Sequence, residues 1–179
     1  MKATRLLEQQ HRKVEAIFDQ LKGRGDQAGA LLVELANELA AHMAIEQNIF
    51  YPAVREVDPD LIAESFEEHA VAEIELKRLL RAGPDHETFP AKLATLQELI
   101  ESHVEEEEEE LFRSVEKTLG GDFLEQLGAK MESAFVSAKE EGFERLLPEG
   151  FGHTSSDESL KALAAQRPLP SQESPGVSR

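Results

Sequence analysis

Residues 40–52 read AAHMAIEQNIFYP, with a four-residue step from His42 to Glu46. Four residues is just over one helical turn, so both side chains stand on one face. The same face runs back through Leu39 and Leu35 and forward through Ile49 and Ala53. A histidine and a carboxylate thus interrupt an otherwise apolar stripe, the kind a helix turns toward a core.

Three other segments repeat the pattern. Leu96, Ile100, His103, Glu107 and Leu111 make one stripe, and Ile62, Phe66, His69, Glu73, Leu76 and Leu80 a second. Leu7, His11, Val14, Phe18 and Leu21 make the third. Gly23 and Gly25, Asp58-Pro59, Gly83-Pro84-Asp85 and Gly120-Gly121 punctuate the chain between them. This predicts helices over about 3–22, 27–57, 60–81 and 87–119, with Pro90 tolerated in a first turn. Short connections make neighbouring helices antiparallel. The expected fold class is therefore all-α: an up-down-up-down antiparallel four-helix bundle over residues 1–120. An additional C-terminal helix follows over 121–147, and residues 148–179, rich in Ser, Pro and Gly, read as a flexible tail.

Composition narrows the function. The chain has 179 residues, enough to bury a core, and a formal net charge of −17. That charge argues against nucleic acid and against an anionic membrane surface, both of which need clustered Lys and Arg. There is no cysteine, so disulfides, thiolate metal sites, iron–sulfur clusters and cysteine nucleophiles are excluded. The opening MKATRLLEQQH carries no apolar signal core, and no run of about 20 apolar residues stands out. A cytoplasmic protein is expected.

A buried carboxylate without a partner is very costly, and several buried together repel. Four histidines and three glutamates on four apolar stripes therefore call for a cation. Counted from the turns that join the helices, these residues lie at comparable depth, mismatched by at most about 6 residues, or roughly 9 Å. The candidate metal ligands are His11, His42, Glu46, His69, Glu73, His103 and Glu107. Imidazole with carboxylate suits iron or manganese, whereas zinc is usually four-coordinate. Seven side chains are too many for one ion and fit two. If Glu46 and Glu107 bridge, one position on two six-coordinate ions stays open for a small ligand; a Glu73 bound through both oxygens would close it.

These residues also carry a family resemblance. QQHRKVEAIF with His11, AAHMAIEQNIFYP with His42 and Glu46, EEHAVAEIELKRLL with His69, and SHVEEEEEELF with His103 and Glu107 resemble the hemerythrin-like (HHE cation-binding) domains. The resemblance spans about residues 6–115. It implies two iron ions joined by an oxo or hydroxo bridge, with manganese the other candidate, and a small ligand: dioxygen, peroxide or nitric oxide. It implies that His11 and His42 hold one ion, His69 and His103 the other, and that Glu46 and Glu107 bridge. Oxygen-carrying members have a histidine where this chain has Glu73. An anion there stabilises ferric iron, which favours redox turnover, catalase- or peroxidase-like peroxide decomposition or sensing over reversible oxygen carriage. A non-enzymatic iron buffer, carrier or sensor that signals through the C-terminal helix and tail is the alternative.

Other polar residues read as bystanders. Glu15, Glu68 and Gln47 fall off the stripes, the Glu105–Glu110 run is a solvated face apart from Glu107, and His86 and His153 lie in a loop and the tail. For Tyr51 ordinary packing is the first reading and a role at the edge of a pocket the second. The fifth helix presents Phe123, Leu124, Leu127, Met131, Phe135 and Val136, with Phe143 further on. This face would cover the bundle, form a homodimer or receive a protein partner, to which the tail could add.

Overall fold

The computed structural model describes residues 1–23 and 25–147; the expected tail over 148–179 lies outside the described residues. Helix α1 spans Ala3–Lys22, α2 Ala28–Val54, α3 Pro59–Ala82 and α4 residues 89–118. α5 covers Gly121–Glu141 and the single turn α6 Phe143–Leu146. α1 packs on α2 and α3 on α4, while α1–α4 and α2–α3 contacts close the ring. The architecture is the expected all-helical bundle.

Local chemistry sets the ends. Asp58 accepts a hydrogen bond from the Leu61 N–H at 3.2 Å, and Pro59 opens α3, where its missing N–H costs nothing. Gly83 closes α3 at φ 70°, a conformation that glycine adopts without strain. The fifth helix stops earlier than expected because Gly142 turns the chain at φ 81°. The turn is fixed by the Phe143 N–H, which donates to Asn37 Oδ1 at 2.9 Å.

Both α2 and α4 contain a π-helical turn. In α2 it covers Glu46–Phe50, and in α4 it covers Glu107–Leu111. Such a turn holds an extra residue and rotates everything beyond it. In α2 this moves the buried positions off the expected Ile49 and Ala53. Ile49 is half-buried and Ala53 exposed, while Phe50, Tyr51 and Val54 are buried.

The core falls into two apolar clusters. One contains Val14, Phe18, Leu35, Leu76 and Leu96; the other contains Leu7, Phe50, Ile62, Leu111 and Val115. His11, His42, Glu46, His69, His103 and Glu107, all buried, lie along the helices between them. Helix α2 is longer in its apolar character than the sequence suggested: by length and composition it could cross a membrane, at a mean hydropathy of 1.2. Most of that window is buried inside the bundle, as in a core helix.

α5 lies across α1 and α2 and pairs Lys139 with the buried Glu38. At Gly128 it presses on the N-terminal backbone: a Cβ there would fall 2.2 Å from the Met1 carbonyl oxygen and 2.8 Å from the Ala3 nitrogen. Gly128→Val should therefore push α5 off α1 and cost about 1–3 kcal/mol. Thermal denaturation would show it as a midpoint lower by roughly 2–4 °C per kcal/mol.

Candidate metal centre

The six buried ligand candidates form two groups that share one carboxylate. His11, His42, Glu46 and Glu107 make the first group, and Glu46, His69 and His103 the second; within each, the ligand atoms lie within 4.8 Å of one another. Glu46 Oε2 stands 3.1 Å from His42 Nε2 and 3.3 Å from His69 Nε2, so one oxygen faces both groups. Glu107 Oε2 is 3.4 Å from His11 Nε2 and 3.7 Å from His103 Nε2, so it too reaches both. The Nε2 atoms of His69 and His103 are 2.9 Å apart. Two nitrogens bound at about 2.1 Å and at right angles on one ion would be separated by about 3 Å.

Each imidazole is turned by a group on a neighbouring helix. His11 Nδ1–H donates to Glu108 Oε1 at 2.8 Å, and His103 Nδ1–H to Glu68 Oε2 at 2.7 Å. His42 Nδ1–H donates to Gln10 Oε1 at 2.8 Å, and the Gln47 amide meets His69 Nδ1 at 3.2 Å. Gln47 presents its amide Nε2 to that nitrogen; turned over, the amide oxygen would accept from Nδ1–H and fix the same tautomer as in the other three. A proton on Nδ1 leaves the Nε2 lone pair pointing inward, which is the form that binds a metal.

Glu108, Glu68, Gln10 and Gln47 were passed over in the sequence reading, although each sits one residue from a ligand. Gln10 and Glu68 precede His11 and His69, and each holds the histidine of the next helix; Gln47 and Glu108 follow Glu46 and Glu107, and hold the histidine of the helix on the other side. The two helix pairs α1–α2 and α3–α4 thus repeat one arrangement. That regular offset was the available signal.

Several buried atoms lack hydrogen-bond partners: both oxygens of Glu46, Glu107 Oε2, His11 Nε2 and Gln10 Nε2. All but the last are ligand atoms facing the centre of the cluster. Burial and the neighbouring Glu107 push the Glu46 carboxyl well above the ordinary carboxylate range. Burial opposes ionisation of Glu107 as well, but the His103 and His11 imidazoles hold it at about 2. Burial, with neighbouring imidazoles adding to it, pushes His42 and His69 well below an ordinary histidine. Against burial, Glu107 and Glu108 raise His11. Carboxyl and imidazole groups facing one another with unpaired atoms form a donor set that fits cations. Two inner carboxylates, with Glu68 and Glu108 outside, would balance the charge of two divalent ions.

Glu73 stands apart from both groups. It is buried, but its Oε1 accepts from Lys77 Nζ at 3.2 Å. It lines a cavity of about 210 Å³ between α2 and α3, together with His69, Gln47, Asn48 and Arg145. Tyr51 proves closer to the centre than its sequence reading allowed: its hydroxyl donates to Glu107 Oε1 at 2.9 Å. Glu15 is half-buried and pairs with Arg12, and His86 bonds locally to Thr88.

Removing Glu108 or Glu68 should loosen the imidazole each one holds. Glu108→Ala and Glu68→Ala are each expected to weaken metal affinity by about 10–100-fold. Competition against a chromophoric chelator would measure it, with a surface control such as Glu109→Ala remaining unchanged.

A family model for the hemerythrin HHE cation binding domain matches residues 2–115. A DNA nickase from Nostoc sp. (strain PCC 7120 / SAG 25.82 / UTEX 2576) is 25% identical over 130 residues, which cover 69% of this chain and 36% of that protein. The chain thus spans about a third of that relative. The crystal structure of a hemerythrin HHE cation binding domain-containing protein from Mycobacterium kansasii superposes with a TM-score of 0.72 at 24% identity, over 79% of this chain and 89% of that one. At that identity the likeness speaks for the fold.

Proposed function

This chain belongs to the hemerythrin HHE cation-binding domain family, and we propose that its buried cluster holds two iron ions that bind or process dioxygen, peroxide or nitric oxide. The observation that carries the proposal is the pair of ligand groups joined through Glu46, with both Glu46 oxygens, Glu107 Oε2 and His11 Nε2 unpaired at their centre. His11 and His42 would hold one ion and His69 and His103 the other, with Glu46 and Glu107 reaching both. When bound, iron supplies a redox couple and a position for the small ligand.

The protein's own groups prepare this chemistry. Four Nδ1 contacts fix the ring orientations before metal arrives, which lowers the cost of assembling the site. Apolar clusters to either side exclude bulk water, so charges inside interact strongly. Tyr51 steadies Glu107 through its hydroxyl. Glu73 borders a cavity that reaches His69, so a small ligand arriving there meets a carboxylate in place of an apolar wall.

Adding hydrogen peroxide to iron-loaded protein separates the two readings. Oxygen release or peroxide consumption with turnover supports an enzyme. A single stoichiometric spectral change supports a carrier or sensor. For the second reading, the relevant observation is that α5 rests on α1 and α2, which carry His11, His42 and Glu46. Iron content below two per chain after anaerobic loading would contradict both.

A further inference from the structure

Tyr51 is the one tyrosine of a chain with no tryptophan and no cysteine. It is fully buried. Its hydroxyl donates to Glu107 Oε1 at 2.9 Å and stands 3.3 Å from His69 Nε2. Its ring lies 5.6 Å from the His69 ring and 5.3 Å from Phe66.

The repeated arrangement of the two helix pairs shows what the hydroxyl is not needed for. Tyr51 follows Glu46 by five residues, and Phe112 follows Glu107 by five. Phe112 stacks on His11 at 5.9 Å, much as Tyr51 lies against His69. A phenylalanine therefore packs this kind of position, and burying a phenol instead costs free energy unless its O–H is bonded. The hydroxyl sets one half of the centre apart from the other. It places the chain's most readily oxidised ring against a carboxylate that can take its proton and a histidine that would hold an ion.

We propose that Tyr51 is a one-electron donor to the metal centre, used when peroxide arrives and the iron pair can supply only one electron. This rests on the reading of the site as a pair of iron ions. Reducing hydrogen peroxide to two waters breaks the O–O bond and takes two electrons and two protons. One electron comes from a ferrous ion and the other from Tyr51, whose O–H bond breaks to leave a neutral phenoxyl radical. The phenolic proton moves along the hydrogen bond to Glu107 and on to product, and solvent supplies the second proton. With no other tyrosine, and no tryptophan or cysteine, to pass the radical to, it should persist in the bundle.

The test loads the full chain with iron, confirms two irons per chain, poises the pair at one ferrous and one ferric ion, adds hydrogen peroxide and freezes the sample for electron paramagnetic resonance. A radical signal approaching one spin per chain is expected. Its hyperfine splitting should collapse when the protein is made with ring-deuterated tyrosine, which labels Tyr51 alone. Tyr51→Phe, compared in samples verified to hold two irons per chain, should lose the signal. A wild-type protein with two irons and no radical overturns the inference, as does a signal that survives deuteration or Tyr51→Phe unchanged. Fewer than two irons in the wild type would instead overturn the reading of the site, and the inference with it.

Discussion

Glu46→Ala should leave both metal positions essentially empty, not one. Glu46 is the residue common to the two ligand groups, and its Oε2 faces His42 and His69 at 3.1 and 3.3 Å. Each ion would lose an anionic ligand and the carboxylate that offsets its repulsion from the other ion. Changes to groups that merely orient a ligand cost about 10–100-fold in affinity, and removal of a shared ligand should exceed that at both positions. Measured iron per chain should fall from two to near zero, whereas His11→Ala should leave the His69–His103 position partly occupied. One tightly held ion in the Glu46 variant would show that the carboxylate is not shared.

Stripping the metal should destabilise the fold strongly, and Glu46→Gln should reverse part of that loss. A ligand present at about 1,000 times its dissociation constant stabilises a protein by about 4 kcal/mol. At roughly 2–4 °C per kcal/mol, chelation should lower the melting midpoint by about 10 °C. Without metal, burial and Glu107 hold the Glu46 carboxyl well above its ordinary range. Folded metal-free protein then binds a proton that the unfolded chain releases, so this contribution to stability is lost as pH rises through the raised value. Metal binding expels the same proton, so metal affinity rises with pH over the same window. Glu46→Gln should stabilise the metal-free protein by about 1–4 kcal/mol near neutral pH and flatten its pH dependence, while still preventing normal loading. Metal-free melting curves at several pH values, for wild type and variant, would check both signs.

How legible the centre was depended on what each residue must do. His11, His42, His69 and His103 were readable because a polar side chain on an apolar stripe is costly and visible as a break in period. Glu46 and Glu107 were readable by their four-residue step from a histidine. Gln10, Gln47, Glu68 and Glu108 were not, because each looks solvated on its own helix and acquires its role only when a second helix brings up an imidazole. The run at Glu105–Glu110 hid Glu108 among residues that do face water. The displacement of Ile49 and Ala53 by Phe50, Tyr51 and Val54 follows from the π turn, which no periodic count of 3.6 anticipates. Tyr51 was hidden for the same reason, since its place against Glu107 exists only after that extra residue rotates the helix.

Glu73 shows the opposite case. Its stripe position is right and it is buried, yet its carboxylate turns to Lys77 beside the cavity instead of joining either group. Spacing along one helix locates a side chain to within a turn. Whether it reaches an ion depends on torsions and on neighbours four residues away.

Crystals of the iron-loaded protein, with anomalous diffraction collected on either side of the iron absorption edge, test the shared site most directly. Two iron peaks per chain are expected, one beside His11 and His42 and the other beside His69 and His103, with Glu46 in contact with both. A single peak, peaks that vanish at the iron edge but persist for another metal, or an ion bound outside these six residues would contradict it.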